Sequence, residues 1–494
     1  MNIRNFNDFK SFLFENKTIK QTIFKNTFWL AIAEGTSKFL KLILLIYVAR
    51  ILGATEYGKF TFALAFVSLF VIFSNFGLSR IVTREFARKK EKEKEFASIF
   101  SLKVLLSLGT LILILGGSYF ITSDLLIQKL IWILAVYILV YTFSEIIYAF
   151  LEARQQMQYE SLAKILQAVL ITGASFFVLF NFPSVKNLSY GYLFASIITL
   201  ISILLFFHFK IFPLKISFEK SIWKKFLLMS WPLALGGIFA TICSQIDSVM
   251  MGHLGMITET GWYNASYKIA EVILLPAGLI SASFYPFLSK FFSESREKLQ
   301  NTWNHYMKSI IFLAAPLVMG GIVLAPRIID FIYGPDFNPS ILAFQILIVM
   351  TGIMLLNSPF NQALIISNQQ EKTFWIVLSG AITNIILNLI LIPMFSLYGA
   401  AVASLITFLL IFFLLVKFTL KFTSIRPFNF IILSTIIGAI FSSGIMYFII
   451  SQSVISRFNV LFLVLIGAIV YSVSFFIVDK ISIKTYKINR RRQI

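Results

Sequence analysis

Residues 29–50 read WLAIAEGTSKFLKLILLIYVAR. The run has the length that crosses a bilayer, since about 20 apolar residues in a helix span a hydrocarbon core of about 30 Å. Yet Glu34, Lys38 and Lys41 lie in its first half, where lipid would surround them. The three charges stand at i, i+4 and i+7, within about 60° of one another on a helix, and Thr27 shares their face. With the helix starting near residue 26, the two lysines fall roughly 18–22 Å from its start, near the bilayer midplane. Each would cost about 2.5–3.5 kcal/mol if it faced lipid. Snorkelling to the headgroups is the bland alternative, and the depth disfavours it. The pattern therefore predicts a membrane helix that turns a charged stripe toward a polar cavity.

The rest of the chain has the same character. Of 494 residues, 58% are hydrophobic and 13% charged. A soluble chain carries roughly a quarter charged residues, so composition predicts an all-α polytopic membrane protein. Fourteen spans are expected, near 26–50, 58–79, 99–120, 130–150, 165–181, 189–207, 227–251, 262–288, 309–325, 341–366, 374–393, 397–416, 428–450 and 458–478. Pro232, Pro276, Pro316 and Pro359 fall inside spans, where neighbouring helices tolerate kinks. The net charge of +21 sits in short loops rather than on a soluble domain, which argues against nucleic acid as partner. With the N-terminus placed in the cytoplasm, the inner segments hold 33 Lys and Arg and the outer ones six. That bias predicts a cell-membrane protein with both termini cytoplasmic.

The division expected is an interfacial segment 1–25, a first bundle 26–209, a second bundle 226–420, two additional helices within 427–478 and a basic tail 479–494. In the first segment Phe6, Phe9 and Leu13 recur at helical spacing among charges, as in a helix lying on the inner leaflet. No cleavable signal is expected there, because the first 25 residues are polar and basic. The run TREFARKKEKEKEF at 83–96 reads as a solvated face beside anionic lipids. The stretches ARILGATEYGKF (49–60) and MGHLGMITETGWY (251–263) share Leu-Gly, a short polar stretch and then Gly. Six spans separate them, so the two copies run the same way across the membrane. This points to a parallel repeat with a site between the halves.

Several chemistries find no support. No GxxxxGK[ST] loop occurs, and Cys243 is the single cysteine. His208, His253 and His305 are far apart in sequence, so neither a metal site nor a catalytic constellation is expected, and no cofactor. Asp330 and Asp336 lie in the longest outer loop, about fifteen residues, where turn formation explains them.

Span 8 repeats the charged pattern with Asn264, Lys268 and Glu271, again at i, i+4 and i+7. Span 7 adds Asp247, and span 4 carries Tyr137 and Tyr141 on a tyrosine stripe beside Glu145. The candidate cavity is thus Lys38, Lys41, Lys268, Tyr137, Tyr141 and Asn264. Glu34, Glu145, Asp247 and Glu271 are candidate carriers of a coupling proton or sodium. Asn357, Asn361, Asn384 and Asn388, at i, i+4 in pairs, read as hydrogen bonding between helices. A cation-bearing interior suits an anionic, hydroxyl-rich headgroup.

Three blocks carry a resemblance. YVARILGATEYGKFTFALAF with FGLSRIVTREFAR resembles the opening of the polysaccharide transporter family, within the multidrug, oligosaccharidyl-lipid and polysaccharide exporter superfamily. IDSVMMGHLGMITETGWYNASYKIAEVILLPAGLISASFYPFLS looks like its second-half signature, and NIILNLILIPMFSLYGAAVASLITFLL is similar to its span 11–12 segment. The resemblance implies two six-helix bundles in a V, two additional helices, alternating access and a lateral portal beside spans 1 and 8. It implies a flippase for polyprenyl phosphate- or diphosphate-linked oligosaccharides, not an enzyme, with Lys38, Lys41 and Lys268 meeting the phosphates. Relatives favour arginine there, and lysine lacks its bidentate fork. Other envelope-assembly proteins, such as a polymerase, are the expected protein partners. The alternatives are a multidrug or cation antiporter of the same superfamily and, from another class, an envelope polymerase or glycosyltransferase. Buried lysines argue against the first, and short outer loops against the second.

Overall fold

The computed structural model describes residues 14–16, 18–88, 93–211, 213, 216–452 and 458–491. Phe6, Phe9 and Leu13 of the expected interfacial helix lie outside these residues. So do part of the charged run 83–96 and the side chains of the basic tail from 482 onward.

The helices in chain order are α1 (Ile19–Asn75), α2 (Leu78–Arg88), α3 (Glu93–Ile121), α4 (Leu125–Ala153), α5 (Met157–Asn181), α6 (Val185–Lys210) and α7 (Lys220–His253). They continue as α8 (Ile257–Ile273), α9 (Leu275–Glu294), α10 (Arg296–Tyr333), α11 (Ser340–Ile366), α12 (Gln370–Phe422), α13 (Phe430–Ile450) and α14 (Val460–Arg491). No strand occurs among the described residues. Among the described residues, twelve helical runs are long and apolar enough to cross a membrane. The protein is a multi-pass, all-helical membrane protein.

Two helices are too long for one crossing. At 1.5 Å per residue, the 57 residues of α1 and the 53 of α12 would each extend about 80 Å or more. Each is broken inside: α1 at Gly53 (φ 78°, ψ 171°) and α12 at Ser396 (φ 53°, ψ −130°). Positive φ suits Gly53, which has no Cβ to clash. Past Ser396 the chain folds back so closely that a Cβ on Gly399 would lie 2.1 Å from the Leu391 carbonyl oxygen. The expected boundaries between spans 1 and 2 and between spans 11 and 12 fall at these breaks.

Local chemistry sets the other ends. Thr18 accepts from the Gln21 N–H to start α1, and Asp124 accepts from Leu126 and Ile127 N–H to start α4. Such caps satisfy donors that the first helical turn leaves open. Ser184, Ser295 and Asn429 cap α6, α10 and α13 in the same way. Pro276 sits at the start of α9, which its fixed φ favours.

The chain forms two compact units, residues 1–261 and 262–494. In the first, Phe86, Phe96, Phe150 and Phe207 pack with centroids 5.0–5.8 Å apart, mostly edge to face, within one core cluster. α7, expected at the head of the second bundle, packs on α1, α2 and α3 within this unit. In the second, Trp303, Tyr306, Phe360 and Leu364 centre the core, with α10 packed on α9, α11, α13 and α14.

The two copies of the sequence repeat also meet. Thr55 Oγ1 lies 2.8 Å from Thr258 Oγ1, 203 residues away. A Cβ on Gly58 would be 1.9 Å from the Ile257 carbonyl oxygen, and one on Gly261 would be 2.0 Å from that of Ala54. The contact is reciprocal, and Gly53 and Gly255 share a φ of 78°.

Candidate functional site

A cavity of about 310 Å³ opens among α1, α4, α5 and α6 of the first unit. α1 contributes Glu34, Ser37, Lys38, Lys41 and Leu44, one face of the helix because these positions follow its 3.6-residue period. α4 contributes Tyr137 and Tyr141, α6 contributes Tyr192, and α5 contributes Lys164, Gln167, Ala168, Ile171 and Thr172. Three ammonium groups therefore face the space against one carboxylate.

Ion pairs link these charges. Lys164 Nζ lies 3.1 Å from Glu34 Oε1 and 2.9 Å from Glu160 Oε1, while Lys38 Nζ is 3.9 Å from Glu34 Oε2. The Tyr137 ring meets Tyr192 edge to face at 5.4 Å, which joins α4 to α6 in the cavity wall. Gln167 donates to Ser196 Oγ at 3.0 Å. The buried hydroxyls of Ser37 and Tyr192 have no hydrogen-bond partner among the described residues.

Glu34, Lys38, Lys41, Tyr137 and Tyr141 thus come together in this one space. Glu145 does not line it. Its Oε2 instead accepts from Asn75 Nδ2 at 2.9 Å, at the C-terminal end of α1. Lys103, wholly buried on α3, donates to the carbonyl oxygen of the adjacent Ser74 at 2.9 Å. Two charged side chains thereby hold the last turn of α1, just before Phe76 and Gly77 turn left-handed at φ 45° and 73°. Asp247 is 2% exposed on α7. In the second unit Lys268 pairs with Glu271 on its own helix at 2.6 Å, and Asn264 is buried. Asn388 donates to Asn384 along α12 at 3.2 Å.

Three charged residues of the first unit were not legible as site groups. Lys164 falls in what reads as an inner loop, yet α5 starts at Met157 and carries it two turns into the helix. Its signal was present, since Glu160 and Lys164 stand at i, i+4. Lys103 is a lone lysine in an apolar run, and Lys25 is counted with the basic N-terminus. Lys25 is in fact wholly buried, its ammonium on Asn16 Oδ1, the Gln155 carbonyl oxygen and Gln158 Oε1.

Fold and cavity together define a polytopic helical membrane protein with a positively charged pocket inside one helix bundle. Residues 23–292 match the family described as polysaccharide biosynthesis protein, and the chain belongs to that family. It is 25% identical over 383 residues to the Haloferax volcanii protein named "Probable flippase AglR", covering 76% of this chain and 79% of that one. It is 21% identical over 393 residues to the capsular polysaccharide biosynthesis protein CapF of Staphylococcus aureus, covering 76% and 94%. Among solved structures, the lipid II flippase MurJ in an inward closed conformation shares the fold with a TM-score of 0.75 at 20% identity, over 90% of this chain and 97% of that one. An inward-facing multidrug resistance MATE family transporter shares it with a TM-score of 0.65 at 14% identity, over 78% and 95%.

Proposed function

We propose that the protein is a flippase that moves a polyprenyl phosphate- or diphosphate-linked oligosaccharide from the inner to the outer leaflet of the cell membrane, with both termini cytoplasmic. The observation that carries this reading is the cavity, in which Lys38, Lys41 and Lys164 outnumber Glu34. An ammonium group is a strong phosphate partner, and the ring faces of Tyr137 and Tyr141 with the hydroxyls of Ser37 and Tyr192 suit a sugar. Membership of the family and the flippase named among the relatives point the same way. A volume of about 310 Å³ is of headgroup size, so the prenyl tail would stay in lipid.

In this reading the fourteen expected crossings and a parallel repeat of the two halves belong to an alternating-access cycle. The reciprocal contact at Gly58 and Gly261 supports the repeat. The headgroup enters, the bundles rock, and the glycan is released outside. Outward movement of each negative charge is favoured by about 2.3 kcal/mol per 100 mV across a membrane negative inside. A cation exporter would require a cavity dominated by carboxylates, which the three lysines oppose.

The test is transport in proteoliposomes loaded with a polyprenyl diphosphate-linked oligosaccharide, followed by lectin accessibility. Wild type moves the lipid, and Lys38→Ala, Lys41→Ala and Lys268→Ala, expressed at wild-type level, slow it. A wild-type protein that moves an organic cation and no glycolipid would overturn the reading.

A further inference from the structure

Glu160 lies behind the cavity wall rather than on it. Its side chain is 2% exposed, on the first turn of α5. Oε1 is 2.9 Å from Lys164 Nζ, whereas Oε2, also buried, has no hydrogen-bond partner among the described residues. Buried polar atoms are nearly always satisfied, so an orphaned carboxylate oxygen calls for an explanation. A proton supplies one, because it removes the net charge that a carboxylate would carry in this buried position.

The surroundings tie such a proton to the cavity. Lys164 is shared, with Glu160 on one side and the cavity carboxylate Glu34 of α1 on the other. Glu34 in turn reaches Lys38. From α4, Tyr148 lies under the Lys164 ammonium at 6.0 Å, and Glu152 stands within electrostatic reach while accepting from Thr83. Lys25 of α1 sits on Gln158, two residues before Glu160.

We infer that Glu160 is a proton-binding site that decides how much of Lys164 is available to an anion in the cavity. The inference rests on the reading of the cavity as a phosphate site. With Glu160 ionised, its carboxylate competes with the ligand for Lys164. With a proton on Oε2, that competition ends and the cavity gains one ammonium. Binding is reciprocal, so an anion that draws Lys164 inward favours proton uptake at Glu160, and loss of the proton favours release of the anion. Glu160 is a positioning residue here, acting through Lys164.

The experiment uses the full chain in lipid nanodiscs with farnesyl diphosphate as probe, titrated calorimetrically in buffers of different ionisation enthalpy across about pH 5 to 9. Wild type should take up more protons on binding than Glu160→Gln does, and its affinity should fall by about fivefold or more with rising pH beyond the fall seen for the variant. The probe's own protonation is common to both proteins and cancels in the comparison. Glu160→Gln should hold the low-pH affinity, since its amide places no net charge beside Lys164. Identical proton uptake in the two proteins, or a variant that binds weakly at every pH as a merely structural role requires, overturns the proposal. If wild type binds no prenyl diphosphate at any pH, the phosphate-cavity reading fails. Infrared difference spectra of the ligand-free proteins then decide the proton site. A carboxylic acid band that titrates in wild type and is missing from Glu160→Gln supports it, and the lack of such a band overturns it.

Discussion

Lys38 and Lys41 act as point charges on a stripe of α1, so charge rather than shape should govern their replacements. Lys38→Arg and Lys41→Arg keep the charge and should retain flipping. Lys38→Gln and Lys41→Gln remove a charged hydrogen bond of about 1.5–3 kcal/mol and should raise the half-saturating lipid concentration about tenfold or more. Proteoliposome transport measured against lipid concentration checks both. Lys164 differs, because two carboxylates depend on it. Lys164→Gln leaves the buried Glu160 without its cation, so the stability cost should grow with rising pH, up to about 3–5 kcal/mol where the carboxyl must be ionised. The double variant Glu160→Gln/Lys164→Gln should recover much of that loss. Unfolding followed in detergent would show the rescue, and a double variant no more stable than the single one would deny the pairing. The stripe Glu34, Lys38 and Lys41 was legible because it lies on one helix face. Glu160 was not, because its burial comes from helices elsewhere in the chain.

At the scale of elements, two junctions carry distinct loads. Residues 54–58 and 257–261 cross with backbone nearly touching, and glycine is the one residue that fits at positions 58 and 261. Gly58→Ala or Gly261→Ala drives a methyl group into a carbonyl oxygen, and should destabilise by about 1–3 kcal/mol or displace the crossing. Thermal unfolding of the purified protein measures this, and Gly35→Ala, which meets nothing within 4 Å, is the control. The second junction is the end of α1, held by Lys103 on Ser74 and Glu145 on Asn75. Lys103→Met leaves the Ser74 carbonyl without that donor and Glu145 without its neighbouring cation. A loss of about 1–3 kcal/mol is expected from the unsatisfied group alone. The helices themselves were readable from apolar run length, and the two similar stretches from their shared Leu-Gly and following Gly. That the two copies touch was not readable, because it depends on how α1 and the α7–α8 connection are placed.

At the scale of the whole molecule, the distribution of Lys and Arg predicts which loops face the cell interior. In a Cys243→Ser background, Ser123→Cys and Asn187→Cys should react with an impermeant maleimide from outside. Ser293→Cys should react only after the membrane is opened. All three positions are exposed, so access to the label depends on membrane side. Labelling of Ser293→Cys in sealed cells would reverse the orientation and, with it, the direction proposed for transport.

The sequence by itself determined the class of protein and the first helix's charged face. Membrane spans are set by local apolar length and a helical face by a 3.6-residue period, and both are written along one segment. The gaps it leaves between spans, residues 51–57 and 394–396, contain the breaks at Gly53 and Ser396. Only the tertiary structure decided which charges share a space. Lys164 meets Glu34 from 130 residues away, and Lys103 finds Ser74 across 29. A charge inside a membrane bundle is stabilised by whatever the packing of other helices brings beside it, and no periodicity within its own segment encodes that partner.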